Sequence, residues 1–472
     1  MKMSQKLVWI ALAGMVLALG TPPAGADELA KQVKGITDQA DGQLAFVEFK
    51  VEEELRSPTF VGAAICIIPN GTLMTTALPA AVAPDSIREI TVRVPGAEGT
   101  SKEMTGKLLA IDRRTGLTFI QAEGEHSWKR IAFKAKSDLT MGEPVISVGL
   151  MNPTFGYRTF AGVARVSTEV RAPGRQVYVT GGNLTVQGSP VFNSQGQAIG
   201  LVGEQFFQNA DIRFPRTPQP VGVQIRNNQQ TSFFIPVEEF AISLAMKVPT
   251  DGRVIRQGWI GVVDYVPFTE QMAKSLKIDQ PTVVAGKVVE GSPAAKAGLK
   301  EGDFILALNG KTLDGFPTPE LTAQNFQNTI RRMSPGETLE MTIGQGLDKK
   351  TIKVKVTETP TFRWEAEQYV NRQLGMVFRN RVTLDEYLSS GAIADTEGVV
   401  LIGVGRGSVA NQAGLQGGDL ITMVNNEKVT TVDNVKEIIN RSLATAPSKA
   451  IVFHRKRGTQ TEAVNVKPPV GR

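Results

Sequence analysis

The chain has 472 residues, 21% of them charged, with a formal net charge of +6 and a single cysteine. One cysteine excludes an internal disulfide framework, and a slight basic excess spread along the chain argues against a nucleic-acid partner. Two histidines and no cysteine cluster leave no recognisable set of metal ligands, and no glycine-rich loop opens a helix to cradle phosphate. Neither metal nor cofactor is therefore expected.

The first residues have the pattern of an export signal. Lys2 and Lys6 precede an apolar stretch from Leu7 to Leu19, and Ala24-Gly25-Ala26 places cleavage after Ala26. Cleavage removes the two lysines and lowers the charge to +4. The apolar run is short for a membrane span and no later segment is long enough, so periplasmic or secreted residence is expected, with no integral span after cleavage. An uncleaved N-terminal anchor is the other reading. Residues 27–43 read as a helix and Leu44–Val51 as a strand. From there to about residue 245 the pattern is short β-runs broken by glycine and proline. Val61–Ile68, Ile90–Val94, Leu117–Gln121, Val145–Leu150, Gln176–Thr180 and Ile199–Val202 are examples. Such spacing predicts an all-β barrel or sandwich. Cys66 falls inside one apolar run, where it reads as a small buried hydrophobe. Residues 204–230, rich in Gln, Asn and Pro, read as a long surface loop. The basic run His454–Arg457 ends at Gly458 and reads as a solvated hairpin turn.

The C-terminal half contains a repeat. Gly291-Ser292-Pro293-Ala294-Ala295-Lys296-Ala297-Gly298-Leu299 followed by Gly302-Asp303-Phe304-Ile305 matches Gly407-Ser408-Val409-Ala410-Asn411-Gln412-Ala413-Gly414-Leu415 followed by Gly418-Asp419-Leu420-Ile421, and Asn309 and Asn425 continue the register. A period above a hundred residues is a domain duplication. The G-S-P-A-x-x-A-G-L-x-x-G-D-x-I string resembles a PDZ domain of the bacterial protease-associated type.

The segment Gly182–Gly200 resembles the G-N-S-G-G-A-L-x-N-x-x-G-x-x-I-G stretch of the HtrA/Deg family of periplasmic serine proteases, aligned on Asn193, Gly196 and Ile199-Gly200. That resemblance places Gln187 where the family has its serine. The family's histidine segment matches Gly71–Pro79 and puts Leu78 at the histidine. Its aspartate segment matches Asp112–Phe119 and puts Gly116 at the aspartate. Thr185 replaces the glycine that opens the nucleophile turn. A Ser-His-Asp mechanism needs a nucleophile, a base and an orienting carboxylate acting together. The reading is therefore of no enzyme, a degenerate protease homologue or pseudoprotease. Its expected fold is mainly β: a trypsin-like double β-barrel followed by two PDZ domains. The expected boundaries are 1–26 for the signal, 27–250 for the protease-like domain, 251–360 for the first PDZ domain and 361–472 for the second. Residues 361–372, around Trp364, form the linker.

A PDZ domain adds an extended C-terminal peptide as a strand and captures its carboxylate on backbone N–H groups. In the first repeat the resemblance nominates Trp259, Ile260, Gly261 and Val262, with Phe326 and Ile330 on the opposing helix and Arg256 as a nearby cation. In the second it nominates Leu374, Gly375 and Met376, facing Val435 and Ile439, with an insertion from Val382 to Glu397 over or beside the groove. The expected function is binding of peptides, protein C-termini or unfolded envelope proteins, as chaperone, adaptor or scaffold in envelope quality control. The resemblance implies oligomerisation, as a trimer, alone or mixed with an active relative. One alternative is an active serine endopeptidase or other hydrolase of the HtrA/Deg type using a non-standard site. Another is a structural protein with blocked grooves.

Overall fold

The computed structural model describes the chain except residues 1–23, 53–56, 80–81, 97–99, 172–173, 204–206, 213–220, 227–231, 346–347, 364, 389–395 and 470–472. The signal segment up to residue 23 and Trp364 thus lie outside the described residues. Two compact units are present, one ending at Ile255 and the other running from Arg256.

The first unit opens with helix α1 (Ala24–Gln39) and continues as β1 (Leu44–Val51), β2 (Thr59–Ile68), β3 (Thr72–Thr75), β4 (Ile87–Pro95), β5 (Ser101–Asp112) and β6 (Leu117–Glu123). These join in the order β5-β4-β1-β2-β3-β6, and β5 pairs β6 to close a barrel. A second closed barrel, ordered β10-β11-β14-β9-β8-β7, uses β7 (Pro144–Leu150), β8 (Thr159–Val170), β9 (Gln176–Thr180), β10 (Pro190–Phe192), β11 (Ala198–Val202) and β14 (Phe233–Pro236). Closure removes the sheet edges that would otherwise invite aggregation. Between β11 and β14, β12 (Phe207–Ile212) pairs antiparallel with β13 (Val221–Arg226). This corrects the loop expected from composition: the six-residue runs on either side of residues 213–220 satisfy their backbone hydrogen bonds against each other, a pairing that composition does not record. A short helix, α2 (Ala241–Ala245), follows, and β15 (Arg253–Ile255) lies parallel to β5.

The main core fills the seam between the barrels. Ile65, Met74, Leu117 and Phe119 of the first barrel meet Ile146, Val148, Phe192 and Leu201 of the second, and Ile36 and Ala40 of α1 cover one end. Strand alternation delivers these side chains, because every second residue of a strand faces the same side. Val145, Val177, Val179, Val191 and Phe234 fill the interior of the second barrel.

The second unit holds two like-built modules. The first contains β16 (Gly258–Trp259), β17 (Tyr265–Pro267), helix α3 (Glu270–Leu276), β18 (Val283–Ala285), helix α4 (Pro293–Lys296), β19 (Phe304–Leu308), β20 (Lys311–Thr312), helix α5 (Pro319–Arg332), β21 (Thr338–Gln345), β22 (Asp348–Lys355) and β23 (Thr357–Glu358). Its sheet runs β17-β18-β19-β21-β22, so β17 is an edge strand. The second contains β24 (Gln368–Asn371), β25 (Met376–Asn380), helix α6 (Thr383–Leu388), β26 (Val399–Val404), helix α7 (Val409–Gln412), β27 (Leu420–Val424), β28 (Glu427–Lys428), helix α8 (Val432–Thr445), β29 (Ile451–Arg457) and β30 (Gln460–Val466). Its sheet runs β24-β25-β26-β27-β29-β30.

Repeated residues make repeated joints. Ser292 and Ser408 cap α4 and α7 by accepting from Ala295 and Asn411 N–H. Asn309 and Asn425 both adopt positive φ, +47° and +49°. Each clasps the neighbouring strand twice: Asn309 with Glu340 at 2.8 and 3.0 Å, Asn425 with Val452 at 2.8 and 2.9 Å. Hairpin pairing of Ile451–Arg457 with Gln460–Val466 turns at Gly458, φ +60°.

Candidate functional site

Three loops of the first unit converge on a cleft of about 660 Å³. The first follows β3. Thr75 Oγ1 donates to the Ala63 carbonyl at 2.7 Å and accepts from Ala77 N–H at 3.0 Å, fixing the chain that carries buried Leu78. The second is the β5–β6 turn, where Gly116 N–H returns to the Asp112 carbonyl at 2.9 Å and Gly116 has φ +73°. The third is the loop before β10. Beyond β10 the turn to β11 is fixed by Asn193, whose Oδ1 accepts from Gln195 and Gln197 N–H at 3.1 and 2.9 Å. Leu78, Gly116 and Gln187 all line this one cleft, together with Thr76, Thr115 and Asn152. Residues more than a hundred positions apart in sequence are thus brought to one place.

In the nucleophile loop, the Thr185 N–H donates to Ser147 Oγ at 2.8 Å and the Gly188 N–H donates to the Val202 carbonyl at 2.9 Å. Gly188 has φ +79°, and a Cβ there would come within 2.7 Å of Thr76 Oγ1. Thr76, Thr185 and Ser189 each bury a hydroxyl with no partner among the described residues. Neither histidine lines the cleft. His126 packs edge-on against Trp128 at 4.5 Å, and burial together with nearby Lys102 lowers its imidazole pKa, against the pull of Asp41. His454 meets Asn426 Oδ1 at 3.0 Å in the second module.

One hydrogen-bonded array was missed by sequence reasoning. The Asp112 carboxylate is fully buried and accepts from Arg114 Nε and Nη2 at 2.9 and 2.8 Å and from Ser243 Oγ at 2.8 Å. Ser243 Oγ lies 2.7 Å from Thr115 Oγ1. Since the Ser243 proton points to the carboxylate, Thr115 donates to Ser243. Asp112 and Thr115 lie in the very segment compared with the family's aspartate motif. Ser243 is too distant in sequence for any local pattern to have nominated it.

In the first module, Ile260, Val262, Phe326 and Ile330 are buried in its core, while Trp259 is half-buried. Gly261 has φ +99°, the Ile260 carbonyl accepts from Ala294 N–H at 2.7 Å and the Gly261 carbonyl from Val289 N–H at 2.8 Å. Tyr265 of β17 meets Phe326 of α5 edge-on at 4.9 Å, and burial pushes the Tyr265 phenol pKa up. Arg256 Nη1 pairs with Glu365 at 3.1 Å. In the second module, Leu374 and Met376 are core residues and Gly375 has φ +73°.

Family models for the PDZ domain match residues 222–356 and 401–444. A protein of Rhizobium meliloti (strain 1021) named probable periplasmic serine endoprotease DegP-like is 28% identical over 364 residues, covering 74% of this chain and 65% of its own. A protein of the same name from Ectopseudomonas mendocina (strain ymp) is 27% identical over 384 residues, covering 79% and 73%. The chain thus spans about two thirds to three quarters of the length of these relatives. Among solved structures, the HtrA-type protease AlgW with decapeptide is 16% identical at a TM-score of 0.48, covering 70% of this chain and 99% of its own. The serine endoprotease from Yersinia pestis is 17% identical at 0.44, covering 72% and 99%. The strand orders given above carry the fold independently of these superpositions.

These relatives correct the expectation of no enzyme, since the proteins this chain resembles are named serine endoproteases. Changing the side chains at Leu78, Gly116 and Gln187 removes one catalytic route through those positions. It does not remove a deep cleft, its hydroxyls or a buried carboxylate linked to one of them. Among the described residues no helix is long and apolar enough to cross a membrane.

Proposed function

We propose that this chain is a periplasmic, HtrA/Deg-like protein that captures polypeptides through PDZ strand addition and acts on them in the inter-barrel cleft as a non-standard endopeptidase. The observation that carries the binding half is the exposed edge of β17 beside α5, at a glycine loop with positive φ. In this reading Trp259, Ile260, Gly261 and Val262 form the carboxylate-binding loop, and Phe326 and Ile330 shape the apolar pocket from below. Ligands are C-termini and unfolded segments of envelope proteins. Binding of a peptide library to the full chain tests it: free C-termini should bind, the same peptides amidated should not, and equal binding refutes it. Amide exchange at Ile260 and Gly261 should slow on saturation.

The hydrolytic half rests on the relatives' names and on the Thr115–Ser243–Asp112 array, whose outer residue, Thr115, lines the cleft. Thr115 Oγ1 would attack the scissile carbonyl as its proton passes through Ser243 to Asp112; the same path would return that proton to the leaving amine as the C–N bond breaks, and water activated the same way would hydrolyse the resulting ester. Lacking an imidazole base, such a site should be slower than a complete triad by a factor on the order of a million. Unfolded casein turnover by the pure protein should be lost in Thr115→Val and kept in Gln187→Ala. Complete inertness of the wild-type chain rejects this half and leaves the binding half standing. Export by cleavage after Ala26 and trimeric assembly through the barrel unit belong to the same proposal; mass spectrometry of the mature protein and light scattering test them.

A further inference from the structure

The two PDZ modules share one loop and differ in what lies against it. Ile260 and Leu374 correspond, because their carbonyls accept from Ala294 and Ala410 N–H respectively. Gly261 and Gly375 correspond too: a Cβ on either would collide with Ser292 or Ser408 at 2.1 and 2.3 Å. The strand that follows is β17 in the first module and β25 in the second. Among the described residues β17 pairs only with β18, and the chain leading into that module, Arg253–Ile255, lies on β5 instead.

β25 has no such free edge. Gln368–Asn371, the corresponding lead-in, runs antiparallel along it, with Gln368 opposite Arg379 and Asn371 opposite Met376. Its C-terminal end therefore lies at the glycine loop, the polarity a C-terminal peptide takes when it adds to a PDZ strand. The loop's donors are taken as well. Leu374 N–H donates to Asn371 Oδ1 and Gly375 N–H to the Asn371 carbonyl, both at 2.9 Å. Among the described residues no acceptor is seen for the Ile260 and Gly261 N–H groups. Two residues back, Tyr369 stacks on Phe378 at 6.0 Å and packs against the cluster that includes Val435 and Ile439 of α8. Asn371 Nδ2 donates to Tyr369 Oη at 2.9 Å, locking the pair.

We propose that residues 368–371 are a built-in ligand of the second PDZ groove, with Asn371 standing in for a terminal carboxylate and Tyr369 filling the side-chain pocket. This rests on the reading of the PDZ modules as peptide receptors, and it leaves the first module as the receptor for free C-termini. A tether of four residues gives the segment an effective concentration of order millimolar or more, so a free peptide at micromolar concentration loses the competition.

Amide hydrogen exchange on the peptide-free full chain tests this directly. Leu374 and Gly375 N–H should exchange at least about tenfold more slowly than Ile260 and Gly261 N–H. Exchange at equal rates overturns the proposal. Calorimetric titration with a free-carboxylate peptide should give one site per wild-type chain and two in Tyr369→Ala/Asn371→Ala. Two sites in the wild-type chain overturn it. No binding at either module defeats the receptor reading of the whole protein, and the exchange rates then still decide whether Asn371 holds the loop.

Discussion

Gly261 rests on Ser292: a Cβ added to the glycine would come within 2.1 Å of the Ser292 Cβ, at a φ of +99°. Ser292 cannot retreat easily, because its hydroxyl caps α4. Gly261→Ala should therefore combine backbone strain with overpacking and destabilise the first PDZ module by roughly 2–4 kcal/mol. Gly291→Ala, at φ +70° but with nothing within 4 Å, should cost only about 1–2 kcal/mol. Urea midpoints of the two variants check this, and equal losses would remove the close approach from the explanation.

The second module should be acid-sensitive through Asp385. Burial opposes its ionisation, but hydrogen bonds from Arg379, the Val382 N–H and Arg363 outweigh it and hold the carboxyl below its ordinary range. A carboxyl depressed in the folded state contributes stability above its unfolded pKa of about 4, and that contribution fades as pH falls through the folded value. Urea midpoints followed from pH 7 down to pH 3 should drop, and Asp385→Asn should flatten this part of the decline. Arg379→Met, which leaves the buried carboxylate only half-exposed Arg363 as an ion-pair partner, should cost roughly 2–4 kcal/mol at pH 7.

Arg114 is the buried ion-pair partner of Asp112 in the first unit. Arg114→Met removes both guanidinium bonds from a fully buried carboxylate and should destabilise the barrels by roughly 3–5 kcal/mol. Ser243→Ala removes one hydroxyl bond and should cost only about 1–2 kcal/mol. Thermal melts of the two variants test the order; a larger effect from Ser243 would contradict it.

Cys66 should be inert in the folded protein. Its side chain is fully buried, and burial pushes the thiol pKa up to about 11, against a hydrogen bond with the Ile68 backbone. Iodoacetamide should label it only as fast as the first barrel opens, so the rate should rise steeply with urea. Rapid labelling in native buffer would refute this.

Strands whose side chains alternate against one core were readable from the sequence: Gln176–Thr180 and Val145–Leu150 fall within a residue of the observed β9 and β7. Strands of mixed polarity were not. β5 carries lysine, glutamate and threonine on its exposed half, and β8 leaves most of its residues only partly buried. Their stability comes from pairing with neighbours, which composition does not record. The meeting of Leu78, Gly116 and Gln187 was legible because each lies in a short motif with fixed landmarks. Ser243 and Asn371 were not, since one acts across more than a hundred residues and the other through its place at the end of a hairpin.

The paired asparagine clasps give the two modules different chemical lifetimes. Asn309 is followed by Gly310, a dipeptide prone to losing ammonia and isomerising, whereas Asn425 is followed by the bulkier Asn426. Isomerisation threads the main chain through the former side chain and separates both bonds to Glu340 in one event. Aged preparations should lose the first module's integrity while the second endures, with the damage to the two modules confined to the proteolytic fragment that carries Asn309.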